Sequence, residues 1–268
     1  MRNFLVAIAV AAAVLASVVH ACGTETDCRI EDGTYRIYVP GTPEADRPGA
    51  IVFAHGYRGT AAGTMRNENL RALADDLGVA LIAVKSFDED WTIPNAPSAG
   101  TRPERDEVAY YGRVVSDAAD RFGLDRDRML ATGFSAGGMM TWEVVCNDSA
   151  LFAGFAPVSG TFWDPVPDTC IAPPATLIHI HGTSDRVVPM AGRPIGPTKQ
   201  GDVNEALAMY RAHGGFDTEL PETVSGNLTC NARLNDDGDR LELCLHSGGH
   251  GFRTAYIRRA WDLIFSPG

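Results

Sequence analysis

The chain has 268 residues, 45% hydrophobic and 21% charged, a balance that excludes a disordered tail and can bury a sizeable core. Its 34 acidic residues outnumber 23 basic ones, and the formal charge of −11 argues against a nucleic-acid partner or an anionic membrane surface. A sheet flanked by helices fills such a length as one unit, so a single domain is expected over residues 22–268.

In chain order, Arg2 precedes the apolar run Phe4 to Val19, and Val19-His20-Ala21 reads as a small-residue cleavage site. Residues 1–21 are therefore expected to be a secretory signal peptide, with the mature protein secreted or periplasmic. The run falls short of the ~20 residues a spanning helix needs, so no stable membrane anchor is expected. Lipoprotein processing at Cys22 is an alternative, although His20 sits badly in a lipobox and lipidation would leave an odd number of cysteines.

Thr34 to Val39 alternates polar and apolar residues and ends at Pro40, as a half-exposed strand does. Ala50 to Ala54 and Val79 to Val84 are nearly unbroken apolar runs, the pattern of parallel strands covered on both faces. Between them Asn67 to Leu77 has helical spacing and stops at Gly78. Residues 86–103 form the longest irregular insertion, either a pocket wall or a plain surface loop. A helix over Glu104 to Phe122 ends at Gly123, and Arg128 to Gly133 reads as a short strand. The alternation continues with strands at Ala156 to Ser159 and Thr176 to Ile180, then helices at Asp202 to Arg211 and Ala255 to Ile264. The sum is an α/β fold, a doubly wound, mainly parallel sheet with helices on both faces.

Six cysteines, all beyond the cleavage point, favour disulfides over free thiols in an exported chain. Cys230 and Cys244 each lie seven positions from Asp237 in the turn-like Asn235-Asp236-Asp237-Gly238, so they would face each other across a hairpin. Proximity then suggests Cys22 with Cys28 and Cys146 with Cys170. No CxxC spacing appears, and no metal is expected.

The sharpest motif is Gly133-Phe134-Ser135-Ala136-Gly137-Gly138, because it follows an apolar strand and opens a helix over Met139 to Val145. A strand reversing so tightly into a helix needs glycines and leaves the serine strained and exposed, with the helix N-terminus aimed at a developing anion. A serine hydroxyl needs a base. Of seven histidines, His250 lies in the glycine loop Ser247-Gly248-Gly249-His250-Gly251 before the last helix, where a triad in the chain order serine, acid, histidine requires it. Asp185 ends the strand and turn Ile178 to Asp185 and is the expected acid, with Asp164 and Asp168 as alternatives. Backbone N–H groups of Ala136 and Tyr57, the latter in Ala54-His55-Gly56-Tyr57, are the expected oxyanion donors. Here His55 is read as an orienting residue. Trp91 and Trp163 are candidates to line the substrate pocket, although aromatics are as often core residues.

Asp125-Arg126-Asp127-Arg128 through Gly133 to Met140, with Phe152 to Gly160, His55-Gly56, His181-Gly182 with Asp185 and Val188-Pro189, and Gly249-His250, resembles the polyhydroxybutyrate depolymerase and feruloyl esterase family. The matches run over most of the chain beyond the signal peptide. This resemblance implies an α/β-hydrolase fold, a catalytic set on Ser135, Asp185 and His250, and no cofactor. Members often carry a tryptophan-proline pair soon after the histidine, where this chain has Gly251-Phe252-Arg253. The expected activity is hydrolysis of carboxylic esters through an acyl-enzyme, on short acyl esters, hydroxyalkanoate oligomers or feruloylated sugars rather than crystalline polymer. A serine peptidase on the same fold and an inactive exported binding protein are the competing expectations.

Overall fold

A computed structural model describes residues 22–88, 90–101 and 103–265; the expected signal peptide lies outside them. The chain opens with an antiparallel pair, β1 (Cys28–Ile30) and β2 (Gly33–Tyr38). The apolar run β3 (Ala50–Ala54) leads through α1 (Ala61–Arg66) and α2 (Glu68–Leu77) into β4 (Ala80–Val84). Then come α3 (Glu107–Phe122), β5 (Met129–Phe134), α4 (Ala136–Asn147), β6 (Gly154–Val158) and β7 (Leu177–Gly182). A small hairpin of β8 (Pro194–Ile195) and β9 (Thr198–Lys199) precedes α5 (Val203–Gly214). The chain continues with β10 (Thr218–Glu219), β11 (Thr223–Ser225), β12 (Leu228–Leu234), β13 (Arg240–His246) and α6 (Thr254–Phe265).

Among the described residues the main sheet runs in the order β1-β2-β4-β3-β5-β6-β7-β13-β12-β10, with β11 also on β12. The six strands from β4 to β13 are mutually parallel and the flanking pairs antiparallel. Every residue of β3, β4, β6 and β7 is buried. Side chains alternate across the sheet. Val52, Ala131 and Phe155 pack with Tyr111, Trp142 and Tyr210 of α3, α4 and α5. Ile51, Leu130 and Ile178 pack with Met65, Leu70 and Ile257 of α1, α2 and α6. This two-faced core is why the strands read as continuous apolar runs instead of alternating.

Helix boundaries follow capping chemistry. The Asp106 side chain accepts from the Ala109 N–H at 3.0 Å, so α3 starts at Glu107 rather than Glu104, and Gly123 ends it with φ +67°. Helix α4 begins at Ala136, three residues earlier than the sequence reading. Strands β1 and β8 to β11 and helix α1 are too short to show a period and were not anticipated.

The cysteines pair as Cys22–Cys28, Cys146–Cys170 and Cys230–Cys244. Cys230 and Cys244 are direct partners in the β12–β13 register. With its sulfur bonded to Cys28, Cys22 has no thiol to offer a lipid.

Strand order reverses between β3 and β5: from β3 the chain builds towards β4, and from β5 onwards towards the opposite edge. In an open parallel sheet the loops leaving such a point diverge and leave a crevice beyond the strand ends. The loops after β3 and β5 carry His55 to Tyr57 and Ser135.

Candidate active site

Ser135 sits between β5 and α4 with φ 59° and ψ −121°, a conformation that side chains rarely adopt. Its neighbours explain how the turn closes. A Cβ on Gly133 would lie 2.3 Å from the Gly137 carbonyl oxygen, one on Gly137 2.0 Å from the Ala54 oxygen, and one on Gly138 2.6 Å from the Val158 oxygen. The backbone is then pinned by the Ser135 N–H donating to Val158 O at 3.0 Å and Ser135 O accepting from Met139 N at 2.9 Å. The Ser135 hydroxyl makes no hydrogen bond within the described residues and faces a cleft.

Asp185 follows β7 and is 5% exposed. Its Oδ1 accepts the N–H groups of Val187 and Val188 at 2.8 and 2.9 Å, which leaves Oδ2 for the Nδ1 of His250 at 2.6 Å. That bond makes Nδ1 the donor and leaves a lone pair on Nε2, the state a general base needs. The His250 ring packs on Phe134, the residue before Ser135, with centroids 4.6 Å apart. The structure thus gathers all three expected residues at one end of the sheet. Asp164 and Asp168 make no contact with His250: the Asp164 N–H bonds Lys199 O, and Asp168 is exposed.

The loop after β3 lies against the nucleophile turn. A Cβ on Gly56 would be 3.4 Å from that of Ser135, so the loop's N–H groups can approach a bound carbonyl closely. Ala136 and Tyr57 both line the cleft. His55 is buried beneath them: Nε2 accepts from Ser86 N at 3.3 Å, so Nδ1 is the donor to Gly56 O at 2.9 Å. Burial holds its pKa below the ordinary value, so the ring stays neutral and orients the loop.

Trp91 corrects an expectation. It is fully buried, donates its indole N–H to His55 O at 2.8 Å and packs tilted against the His55 ring instead of lining the cleft. An indole with its donor satisfied inside serves as a buttress. Trp163 does line the cleft.

The cleft holds about 550 Å3. Apolar side chains dominate its wall: Ile93, Met139, Trp163, Val187, Val188 and Ile195, with Tyr57 at the mouth and Asp90, Ser98, Arg193 and Gln200 as polar points. The irregular insertion after β4 supplies Asp90, Ile93, Pro97 and Ser98, so it is a pocket wall. Ile195 and Gln200 come from the β8–β9 hairpin, whose sequence carries no periodic signal. The Cys146–Cys170 bond ties the end of α4 to the loop that carries Trp163.

Among the described residues the cluster of metal-ligating types, Cys230, Glu242 and Cys244, has both sulfurs bonded to each other. Its carboxylate lies between Arg240 and Arg259. These residues offer a cation no thiolate.

No family model matches the chain. The putative esterase NocK of Nocardia uniformis subsp. tsuyamanensis is 33% identical over 242 residues, covering 81% of this chain and 69% of that protein. A probable feruloyl esterase C of Aspergillus flavus is 28% identical over 168 residues, covering 61% of this chain and 59% of that protein. An acetyl xylan esterase from Aspergillus awamori superposes with a TM-score of 0.63 at 17% identity, covering 85% of this chain and 93% of that one, a likeness of fold.

Proposed function

The chain belongs to the α/β-hydrolase esterase family of its Nocardia relative, and on that premise we propose that it is an exported serine esterase with Ser135 as nucleophile, His250 as base and Asp185 as supporting acid. It is a carboxylic ester hydrolase. Residues 22–268 act as one catalytic unit, delivered outside the cytoplasm by residues 1–21. The three disulfides suit an oxidising compartment, and no described helix is long and apolar enough to cross a membrane.

The observation that carries the mechanism is the 2.6 Å bond from His250 Nδ1 to Asp185, made by a ring that packs on Phe134, the chain neighbour of Ser135, with no hydrogen bond at Nε2 among the described residues. When an ester enters, Ser135 Oγ attacks its carbonyl carbon while Nε2 takes the hydroxyl proton. Asp185 stabilises the imidazolium so formed. The N–H groups of Ala136 and Tyr57 receive the carbonyl oxygen as it gains charge, assisted by the N-terminus of α4. As the tetrahedral centre collapses the alcohol leaves with the proton from Nε2, and a water repeats the sequence on the acyl-enzyme. Hydrogen bonds of this kind tighten on substrate binding, which is consistent with the unbonded Ser135 hydroxyl.

An apolar wall with scattered polar points fits short acyl chains, hydroxyalkanoate oligomers or an aromatic acyl group such as feruloyl. The test is a hydrolysis panel of short nitrophenyl esters, methyl ferulate and hydroxybutyrate oligomers, run with Ser135→Ala alongside. The variant is expected to keep the wild-type circular dichroism and to lose activity by at least about three orders of magnitude. A variant that still turns over at the wild-type rate would sink the mechanism.

A further inference from the structure

Trp142, on the helix that Ser135 opens, is fully buried, as are His179 and His181 on β7. The indole N–H meets His179 Nδ1 at 3.2 Å, His179 Nε2 meets His181 Nδ1 at 2.9 Å, and His181 Nε2 meets the Val188 carbonyl oxygen at 2.8 Å. The two ends fix the direction. An indole can only donate and a carbonyl can only accept. Each histidine must therefore accept at Nδ1 and donate from Nε2, both rings neutral. Burial agrees, since it holds both pKa values below the ordinary histidine range.

The chain ends where the acid begins. Val188 donates its own N–H to Asp185 Oδ1 at 2.9 Å, so this residue is gripped at its carbonyl by His181 and at its amide by Asp185. His181 Nε2 stands 3.7 Å from Asp185 Oδ2 but is committed to Val188, which leaves that oxygen to His250. Val188 also lines the cleft. A buried relay of three hydrogen bonds thus joins the nucleophile's helix, the acid's loop and the pocket wall. Trp142, His179 and His181 are fully buried, so a lost partner costs more there than at the surface.

We propose that His179 and His181 are positioning residues for catalysis, a one-way relay from Trp142 that clamps Val188 and thereby aims Asp185 at His250. The proposal rests on the catalytic roles given above. It differs from simple core packing, because packing requires only volume whereas the relay requires a donor at the position of His181 Nε2.

Two variants of His181 separate these cases. His181→Phe keeps the volume and removes the donor; His181→Gln can place an amide N–H near the Nε2 position and restore the clamp on Val188. At a temperature where both are folded, His181→Phe is expected to lower kcat about 10- to 100-fold with little change in KM, the effect of misaimed catalytic groups. It should also shift or abolish the low-field proton resonance of His250 Nδ1–H. His181→Gln should recover most of both. Nitrogen shifts of the wild-type rings should place a proton on Nε2 of both His179 and His181. Should His181→Phe fail to fold, Trp142→Phe removes the first donor alone and should erode the tautomer preference at His179. The relay is overturned if His181→Phe keeps the wild-type kcat and His250 resonance while only its melting temperature falls, or if either buried ring carries its proton on Nδ1. The resonance is read without substrate, so it reports on the relay even if Ser135→Ala were to dismiss the esterase mechanism.

Discussion

At Ser135, Asp185 and His250 the local chemistry is decided by a few hydrogen bonds. Asp185 divides its oxygens, one for the amides of Val187 and Val188 and one for His250, so Asp185→Asn would present an N–H to one of these donors. The expected result is an imidazole with the wrong tautomer and a fall in kcat on the order of 10^4-fold at unchanged stability, measured on the best ester of the panel. Glu143, about two turns into α4, shows the opposite kind of tuning. It is 8% exposed, and burial pushes its pKa up to about 7. Between its ordinary value of 4.5 and about 7 the native carboxyl holds a proton that the unfolded chain releases, so stability falls as pH rises across that window. Glu143→Gln should gain up to roughly 3 kcal/mol at pH 8 and nothing below about pH 4.5, as denaturant unfolding at the two pH values would read.

At the scale of elements, the turn from β5 to α4 is legible in the sequence because its demand is local. Gly133, Gly137 and Gly138 are fixed by carbonyl oxygens within 2.0–2.6 Å of any added Cβ, so the glycine spacing itself announces the turn. The cleft wall is another matter. Ile93, Met139, Trp163 and Ile195 come from four separate segments, and none bears a local mark of the others. The same holds for Trp91, whose place under His55 depends on how the insertion folds back. One covalent tie bears on this wall. Removing the Cys146–Cys170 bond in a double alanine variant releases the loop before β7 from α4, and the expected loss is about 3 kcal/mol of stability. A rise in KM should accompany it as the Trp163 wall loosens, with kcat less affected; an unchanged KM would detach the disulfide from the cleft.

For the whole molecule, the buried imidazoles set the acid limit of stability. His55, His179 and His181 are held neutral by burial, so below their ordinary value of 6.5 the unfolded chain takes up protons that the native protein does not. Stability must then fall as pH drops through that value, against the smaller and opposite slope from Glu143. Denaturation midpoints measured from pH 4.5 to 8 should rise to a plateau near neutrality, and Glu143→Gln should steepen the climb. The sequence by itself determined the alternation of the longer strands and helices, the two-faced sheet and the turn at Ser135, because apolar runs and glycine spacing act over a few neighbouring residues. It also marked Asp185 and His250 by their order along the chain. Only the tertiary structure decided which oxygen of Asp185 serves His250, that Trp91 supports a loop, and that His179 and His181 join Trp142 to the acid's loop. Those outcomes depend on which strand lies beside which and on where buried donors find acceptors, and packing alone brings such groups within hydrogen-bond reach.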